Sequence, residues 1–511
     1  MVDIHWADTA ASRVIREKGD KAKYTCASGV TPSGFVHIGN FREIMTTDLV
    51  AKALEKKGKK VNFIYSWDDY DRFRKVPAGL PAELEKYIGM PVGAMPDPFK
   101  CHKSYGEHFE SLFENSIKNM GFDVKFIRQI DAYTKCIYAH DIRLALRERK
   151  KIKSVLDKYR KEPLDINWMP AVVYCEKCGK DSGKITKYDE EYTISYECSC
   201  GHKDEIDFRK KGIVKLKWRV DWPARWAYYD EDFEPCGKDH AAAGGSWVTS
   251  KEIIKDVWEM EGPSKQFYEW IGIKGGKQFK KSKGIATTIS EVLEVYEPEI
   301  VRYLFAGTRP NAVFSISFDL DVVKIYEDFD ACERIYYGKE ELTNKKEILK
   351  QKRIYELSCT GEIPKKMPEQ VGFRHLTTLL QIHEGDLDKA TEGMSERVKK
   401  RAACAWNWLQ KYAPEDFKFK VNSEINSEIK AKLTGKQKKA LKILCKKLEG
   451  KYDSDSLFNE FYNICQEAGI KNIDFFKGAY LVLISKERGP RLSNFILTLG
   501  KSRVRELLEQ V

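Results

Sequence analysis

The chain has 511 residues, with 89 Lys and Arg against 77 Asp and Glu and a formal net charge of +12. That length suits about three domains with substantial cores, and no apolar run is long enough to cross a bilayer, which argues against a membrane-spanning protein. The first residues lack the basic stretch and apolar segment of a secretion signal, and the positive balance favours a polyanionic partner.

Lys21 to Ala27 reads as a short, half-buried strand. Phe41 to Lys57 carries Ile44, Leu49, Ala53 and Leu54 at helical spacing and stops at Gly58. Between them lies Thr31-Pro32-Ser33-Gly34-Phe35-Val36-His37-Ile38-Gly39-Asn40. A segment that leaves a first strand and opens a helix is where open α/β sheets bind nucleotides, because free backbone N–H groups and the helix dipole face the phosphates. Gly34 and Gly39 let the backbone approach closely, and His37 can donate to a phosphate oxygen. Val61 to Tyr65 reads as the second strand. Asp68, Asp69 and Asp71 follow it and read equally well as a solvated acidic turn. The Pro- and Gly-rich stretch from Val76 to Pro98 is too long for a simple turn. Residues near 103–120 and 134–160 read as helices, and the second is basic enough to track an RNA stem through its phosphates. Asp97, Cys101, His102 and His108 offer a mixed O, S and N donor set that suits zinc.

Val172 to Lys211 reads as a small β-rich module, with a strand over Tyr192–Tyr196 and little apolar mass of its own. Cys175-x-x-Cys178 and Cys198-x-Cys200-x-His202 have zinc-ligand spacing. Cys175, Cys178 and Cys198 fill three places, and Cys200 and His202 contend for the fourth. The other cysteines are scattered, as suits buried thiols in a reducing compartment. The sheet is expected to resume at Ile213–Trp218, with a helix from Thr249 to Glu261 and a strand from Gln266 to Ile273. Lys280-Lys281-Ser282-Lys283-Gly284, preceded by Gly275-Gly276, is a basic loop with a hydroxyl, able to stabilise a leaving pyrophosphate. Beyond Gly284 the chain reads as mainly helical, with amphipathic stretches such as Gly435–Leu448. The lysine runs at 344–352 and 436–447 read as solvated helix faces.

The segment around His37 and the loop around Ser282 together resemble the two ATP-binding motifs of class I aminoacyl-tRNA synthetases. Ser66 to Pro77, Lys217-Trp218-Arg219-Val220-Asp221-Trp222-Pro223-Ala224-Arg225-Trp226, and Gly237-Lys238-Asp239-His240 with Gly244-Gly245-Ser246 narrow the resemblance to the class I form of lysyl-tRNA synthetase. It continues through Phe318-Asp319-Leu320-Asp321 to Gly489-Pro490-Arg491-Leu492. The resemblance implies an α/β Rossmann-type catalytic domain with an inserted zinc-binding module, followed by an all-α C-terminal tRNA-binding region. The expected boundaries are 1–95 and 213–290 for the two catalytic halves, 96–212 for the insertion, 291–345 for a connecting region and 346–511 for a helical anticodon-binding region.

The implied reaction is ATP-dependent activation of L-lysine and its transfer to the terminal adenosine of tRNA(Lys), releasing AMP and diphosphate. The implied cofactors are ATP, Mg²⁺ carried with it, and one or two structural Zn²⁺. The partners are tRNA(Lys), L-lysine and ATP, with no membrane and no DNA, and the expectation is a cytoplasmic monomer. By resemblance, His37, Asn40, Lys281, Ser282 and Lys283 are catalytic, and Pro32, Ser33, Gly34 and Gly39 join them around ATP. Gly29, Thr31, Trp218, Asp239, His240 and Tyr268 are carried over to the lysine pocket, where aromatic faces suit an ammonium and its apolar stem. Trp222 and Trp226 read as core. Gln278 and Phe279 stand where the second motif has its first lysine and methionine, and Lys280 or Lys277 can replace the missing charge. The stretch Pro96-Asp97-Pro98 with Cys101-His102 resembles a metal-binding insert of the lysyl family. A glutamate- or glutamine-specific relative would require a cationic clamp. A catalytically silent RNA-binding paralogue would sit uneasily with the retained His37, Lys281, Ser282 and Lys283. A nucleotidylyltransferase would leave the helical region unexplained.

Overall fold

The computed structural model describes residues 3–274 and 287–511. They fall into two compact units. The first comprises Met1–Leu293, Pro298–Ile316 and Cys332–Lys365, and the second Glu294–Glu297, Ser317–Ala331 and Lys366–Val511. In the first unit, strands β1 (Lys23–Val30), β2 (Lys60–Trp67) and β3 (Lys125–Arg128) precede a separate run of β4 (Ala171–Val173), β5 (Gly183–Tyr188), β6 (Thr193–Cys198), β7 (Lys203–Asp207) and β8 (Val214–Leu216). The chain then returns with β9 (Phe233–Gly237) and β10 (Ser264–Tyr268), followed by β11 (Ile271–Ile273) and β12 (Phe314–Ile316).

One sheet has the order β10-β9-β1-β2-β3, and every neighbouring pair is parallel. Strand order reverses direction between β1 and β9, so the carboxyl ends of these two strands frame the crevice in which such sheets bind ligands. The helix Ile38–Lys56 follows β1 and is buried on most sides, burying Arg42 and Asp48 along with Phe41, Ile44, Leu49 and Leu54. Its charged residues are matched internally. Arg302, fully buried, reaches Asp48 at 2.5 Å and the carbonyls of Met120 and Leu357. The expected helix near the amino terminus of this region therefore starts three residues earlier than its apolar spacing suggests, because His37 caps it.

Three expectations change. The strand expected at 213–218 does not rejoin the parallel sheet. β8 pairs antiparallel with β4, Ala171 opposite Leu216, and closes a sheet of order β7-β6-β5-β4-β8. A short apolar run fits either sheet, and only the tertiary partner decides. The strand expected over Gln266–Ile273 breaks at Glu269-Trp270, because the Arg42 guanidinium gathers the carbonyls of Glu269, Trp270, Arg309, Pro310 and Ala312 at 2.7–3.3 Å. β11 then pairs with β12 instead. The cysteine-bearing module is also not poor in apolar contacts. Tyr174, Ile194, Tyr196, Ile206 and Phe208 share one core with Tyr133, Ile142, Leu146, Ile152 and Val155 of the preceding helices.

The Val76–Pro98 stretch folds into helical turns at Ala82–Tyr87 and Val92–Ala94, over a small core of Phe73, Leu84, Val92, Met95, Tyr105 and Phe109. The expected helix near 134–160 is broken into Ala139–Arg147 and Arg149–Asp157. Its basic side chains are largely paired within the protein, as in Arg143 with Glu191 and Arg149 with Glu190.

The second unit is helical. Its main core runs through Gly435–Lys447, Ser454–Ala468, Asn472–Ile484, Leu492–Leu499 and Lys501–Leu508. Local signals fix these ends: a Thr434/Gln437 capping box opens the first of them, and left-handed Gly469 closes the second. Arg401, buried in the same unit, holds Glu297 at 2.7 Å and Asp330 at 2.8 Å. Among the described residues, no helix is long and apolar enough to cross a membrane.

Candidate active site

The crevice at the β1/β9 switch point is a cleft of about 350 Å³. β1 and its loop bring Gly29, Thr31, His37, Gly39 and Asn40 to it; β9 and its loop bring Glu234, Asp239 and His240; Tyr268 comes from the end of β10. A second cavity of about 510 Å³ adjoins it at His37 and Asn40 and is lined by Ser33, Gly34 and the exposed Arg74 and Lys75. Pro32, expected beside ATP, is buried and is not among the residues lining either cavity.

His37 is the N-cap of the helix Ile38–Lys56. Its Nδ1 accepts the Gly39 N–H at 3.1 Å. An accepting Nδ1 carries no proton, so the neutral ring bears its proton on Nε2 and has a donor to offer. Burial pushes the imidazole below its ordinary pKa, which keeps it neutral. Lys281, Ser282 and Lys283 lie outside the described residues, as do Lys277, Gln278, Phe279 and Lys280. The described chain resumes beside His37: the Ile38 N–H donates to the Thr287 carbonyl at 2.9 Å, and His37 pairs with Thr288.

The floor of the cleft is acidic. Glu43 accepts the Gly29 N–H at 3.1 Å and the Tyr268 hydroxyl at 2.8 Å. Burial and the nearby Glu234 push its carboxyl up to about 8. Glu234 accepts the indole N–H of Trp222 at 2.8 Å and of Trp226 at 2.5 Å, and burial still raises it to about 7. Glu231 is pushed well above the carboxylate range by burial and by Glu234, and one of its oxygens has no hydrogen-bond partner among the described residues. Arg225, the buried cation of this floor, is already held by Asp68 at 2.5 Å and Asp221 at 3.4 Å.

The walls are aromatic. Trp218 stacks on Trp222 with centroids 4.9 Å apart, and His240 meets Trp222 edge-on at 5.7 Å. The His240 ring is oriented by Ser246 Oγ at 2.6 Å. Asp239 lines the cleft but is exposed. Thr31 Oγ1 lies 3.4 Å from Asp71.

One reading from the sequence is corrected here. Asp68 and Asp69 are not part of a solvated turn; both are buried, and Asp69 accepts the Ile130 N–H at 2.7 Å. Asp71 is half-buried and pairs with Lys215 at 3.4 Å. Trp222 is core and also lines the cleft, whereas Trp226 is core. Glu43, Glu231 and Glu234 were not among the expected site residues. A signal existed for Glu234, since in Phe233-Glu234-Pro235-Cys236 it is a carboxylate inside an otherwise apolar strand.

Two clusters of four donors among the described residues stand apart from the cleft. The sulfurs of Cys175, Cys178, Cys198 and Cys200 all lie within 4.8 Å of one another, with the 175/200 and 178/198 pairs each at 3.7 Å. A tetrahedron of sulfurs about 2.3 Å from a zinc ion has edges of about 3.75 Å. His202 stands outside this set, because the tight turn that bonds the Cys198 N–H to the His202 carbonyl aims Cys200 inward and leaves the imidazole against Tyr196. Although burial acts against it, the Cys200 N–H, Ser182 and the neighbouring thiols hold Cys198 down to about 6, which suits a thiolate ligand.

The second cluster sets Cys101 Sγ 3.2 Å from Nδ1 of both His102 and His108 and 3.4 Å from Asp97 Oδ2. Partial burial would raise the Asp97 carboxyl, but the N–H groups of Phe99, His102 and Cys101 outweigh it and hold it below the usual range. Both donor sets fit zinc in chemistry and spacing.

A family model described as tRNA synthetases class I (K) matches residues 4–360, and one described as an anticodon binding domain matches residues 377–511. The chain is 44% identical to a lysine–tRNA ligase of Borreliella burgdorferi over 521 residues, covering 99% of each chain. It is 42% identical to a lysine–tRNA ligase of Borrelia garinii over the full length of both, and 42% identical to one of Thermococcus kodakarensis over 98% of each.

Proposed function

The chain belongs to the class I lysyl-tRNA synthetase family, and on that premise we propose that it activates L-lysine with ATP and transfers it to tRNA(Lys). The observation that carries the substrate choice is the floor of Glu43, Glu231 and Glu234 beneath aromatic walls, with its one buried arginine already neutralised. Such a pocket attracts an ammonium on an apolar stem and repels a carboxylate. The lysine ammonium sits toward Glu43 and Tyr268, its stem along Trp218 and His240, and its α-carboxylate toward His37.

A lysine carboxylate oxygen attacks the α-phosphorus of ATP, the bond to the β-phosphate oxygen breaks, and pyrophosphate leaves. The protein supplies no covalent nucleophile; it aligns two anions and stabilises charge moving onto the leaving group. His37 donates from Nε2 to phosphate oxygen without adding a charge that varies with pH. Asn40 supplies an amide beside it. Lys281, Ser282 and Lys283 complete the phosphate site by family resemblance, and Mg²⁺ accompanies ATP. In the second step a ribose hydroxyl of the terminal adenosine attacks the acyl carbon and AMP leaves. The four cysteines, and separately Asp97, Cys101, His102 and His108, hold structural zinc, since each set supplies the four ligands that close a tetrahedral site. Thirteen free cysteines support a reducing compartment, the cytoplasm.

Charging of total tRNA with each labelled amino acid tests this reading, with ATP, Mg²⁺ and tRNA all present. Lysine-specific charging is expected. Charging with glutamate overturns the pocket, and absence of charging overturns the activity.

Gly39→Ala tests the cap. A Cβ there would lie 2.9 Å from both Cε1 and Nδ1 of His37, so the imidazole must move. A displacement of about 1 Å costs on the order of 10²-fold in rate. The expected result is kcat down by about 10- to 100-fold with KM for lysine nearly unchanged, measured by steady-state charging.

The pH profile tests the acidic floor. Carboxyls raised to about 8 at Glu43 and about 7 at Glu234 still hold protons at neutral pH, and the lysine ammonium must displace them. Lysine itself stays protonated there, since its side chain titrates near pH ~10.4. Protons therefore compete with lysine as pH falls, and KM for lysine rises by about threefold to tenfold per unit from pH 8 down to 6.5. A flat KM across that range would contradict the assignment.

A further inference from the structure

A cavity of about 370 Å³ in the second unit lies apart from the cleft, between the end of the helix Phe373–Ile382, the helix Glu396–Lys411 and the segment Lys418–Lys420. Its wall is Trp406. Trp408, two residues on, is fully buried and donates its indole N–H to the Phe318 carbonyl at 2.9 Å. Trp406 differs in both respects: it is half-buried, and its indole N–H has no partner among the described residues. Its ring rests against bare backbone. Gly385 has φ +89°, and a Cβ there would come within 2.3 Å of the indole, so only glycine allows this seat.

The rest of the lining is mixed: Leu409 and Phe419 are apolar, Gln381 and Gln410 are amides, Glu384 is acidic, and Lys418 and Lys420 are basic. Lys420 pairs loosely with Glu384 at 3.3 Å on the surface, and Gln410 is exposed one helical turn from Trp406. Lys418 leans on Glu415 at 2.8 Å, and Lys486 binds the carbonyl of the same Lys418. Gln381, in contrast, is committed to structure. It accepts the Phe419 N–H at 2.6 Å and donates to the Thr377 carbonyl at 3.1 Å, which fixes the segment carrying the lysines.

An indole fixed by its scaffold, amide and carboxylate groups at its edge, and lysines at the rim form the composition of a site for one unstacked nucleobase and its phosphate. The cavity lies within the residues matched by the anticodon binding domain model. We propose that it takes one base of the anticodon loop, laid on the Trp406 indole with its edge toward Gln410 and Glu384 and its flanking phosphate toward Lys418 and Lys420. This rests on the reading of the chain as a tRNA-charging enzyme and adds where the second unit holds the RNA.

Two experiments on the full chain test it. In the first, tRNA charging is compared for wild type, W406F and W406L. Stacking on one aromatic side chain corresponds to roughly 10- to 100-fold in affinity. W406L should raise KM for tRNA by that factor, W406F by no more than about twofold, and neither should move KM for lysine, KM for ATP or Tm. In the second, an anticodon stem-loop with 4-thiouridine at each loop uridine in turn is irradiated on the protein and the crosslinked peptide identified. One position should crosslink to the peptide holding Trp406. An unchanged tRNA KM in W406L, or crosslinks that all map elsewhere, overturns the pocket while wild-type charging leaves the proposed activity standing. Failure of the wild type to charge lysine overturns that activity instead, and the crosslink then reads the pocket by itself.

Discussion

Glu43→Gln lowers kcat/KM for lysine by a few hundredfold, almost all of it in KM, while KM for ATP stays within about twofold and the fold is unharmed. The substitution keeps the shape of the side chain and removes its charge. Breaking a buried, hydrogen-bonded charge pair from one side costs about 2–5 kcal/mol, which sets that scale. The local geometry sharpens it. The Gly29 N–H and the Tyr268 hydroxyl both donate to the Glu43 carboxylate, one to each oxygen. A glutamine keeps its one oxygen for the Gly29 N–H and donates its NH₂ to a turned Tyr268 hydroxyl, so the fold loses no bond, but a lysine ammonium arriving there meets a donor in place of a carboxylate oxygen. Stability should hold or rise slightly, because a carboxyl raised to about 8 by burial gains nothing from its charge in the empty pocket. Steady-state charging at pH 8 with varied lysine is the check. Unchanged lysine KM would place the ammonium elsewhere.

Removal of the zinc proposed for the four cysteines is expected to produce the second large effect. Cys198→Ser, or extraction with a strong chelator, should release metal and lower Tm by about 10 °C or more, with charging falling in step. Structural zinc contributes about 10–16 kcal/mol in isolated peptide modules, where it is nearly the whole of the folding energy. The effect here is smaller because the module shares an apolar core with its neighbouring helices. It still reaches the cleft. Tyr174 donates to the Tyr70 carbonyl at 2.9 Å, Asp181 pairs with Arg72 at 3.0 Å, and Lys215 pairs with Asp71 at 3.4 Å. These bonds hold the loop that carries Asp68 and Arg74. Metal content by elemental analysis alongside Tm separates this outcome from simple loss of a thiol. A protein that keeps its Tm and activity with no bound zinc would contradict it.

What the sequence made legible was local. His37 and its glycines lie in one short segment between a strand and a helix, and the cysteine pairs are spaced closely enough to name their own geometry. The choice of Cys200 over His202 needed the turn at 198–202, since both residues are adjacent in spacing and only the backbone bond decides which one points inward. Glu43 was invisible for a different reason. Its helix is buried nearly all round, so no amphipathic stripe marks an inward carboxylate as unusual. Glu231 and Glu234 reach the cleft only because β9 lies beside β1, a pairing between segments about 200 residues apart in sequence that no periodicity encodes. β8 failed for the same reason in reverse, because a three-residue strand carries too little pattern to name its sheet. The acidic turn after β2 looked solvated until Arg225, Lys215 and Ile130 supplied its partners.

The most direct test is charging of tRNA by the wild-type protein with lysine, norleucine and glutamate side by side. Norleucine keeps the apolar stem of lysine and lacks the ammonium. A site built to bond a polar group rejects the analogue lacking it by about 10⁴-fold. The acidic floor predicts charging with lysine, discrimination of that order against norleucine, and no detectable charging with glutamate. Norleucine used as well as lysine, or glutamate used in preference to both, would contradict an ammonium held by Glu43 and Glu234.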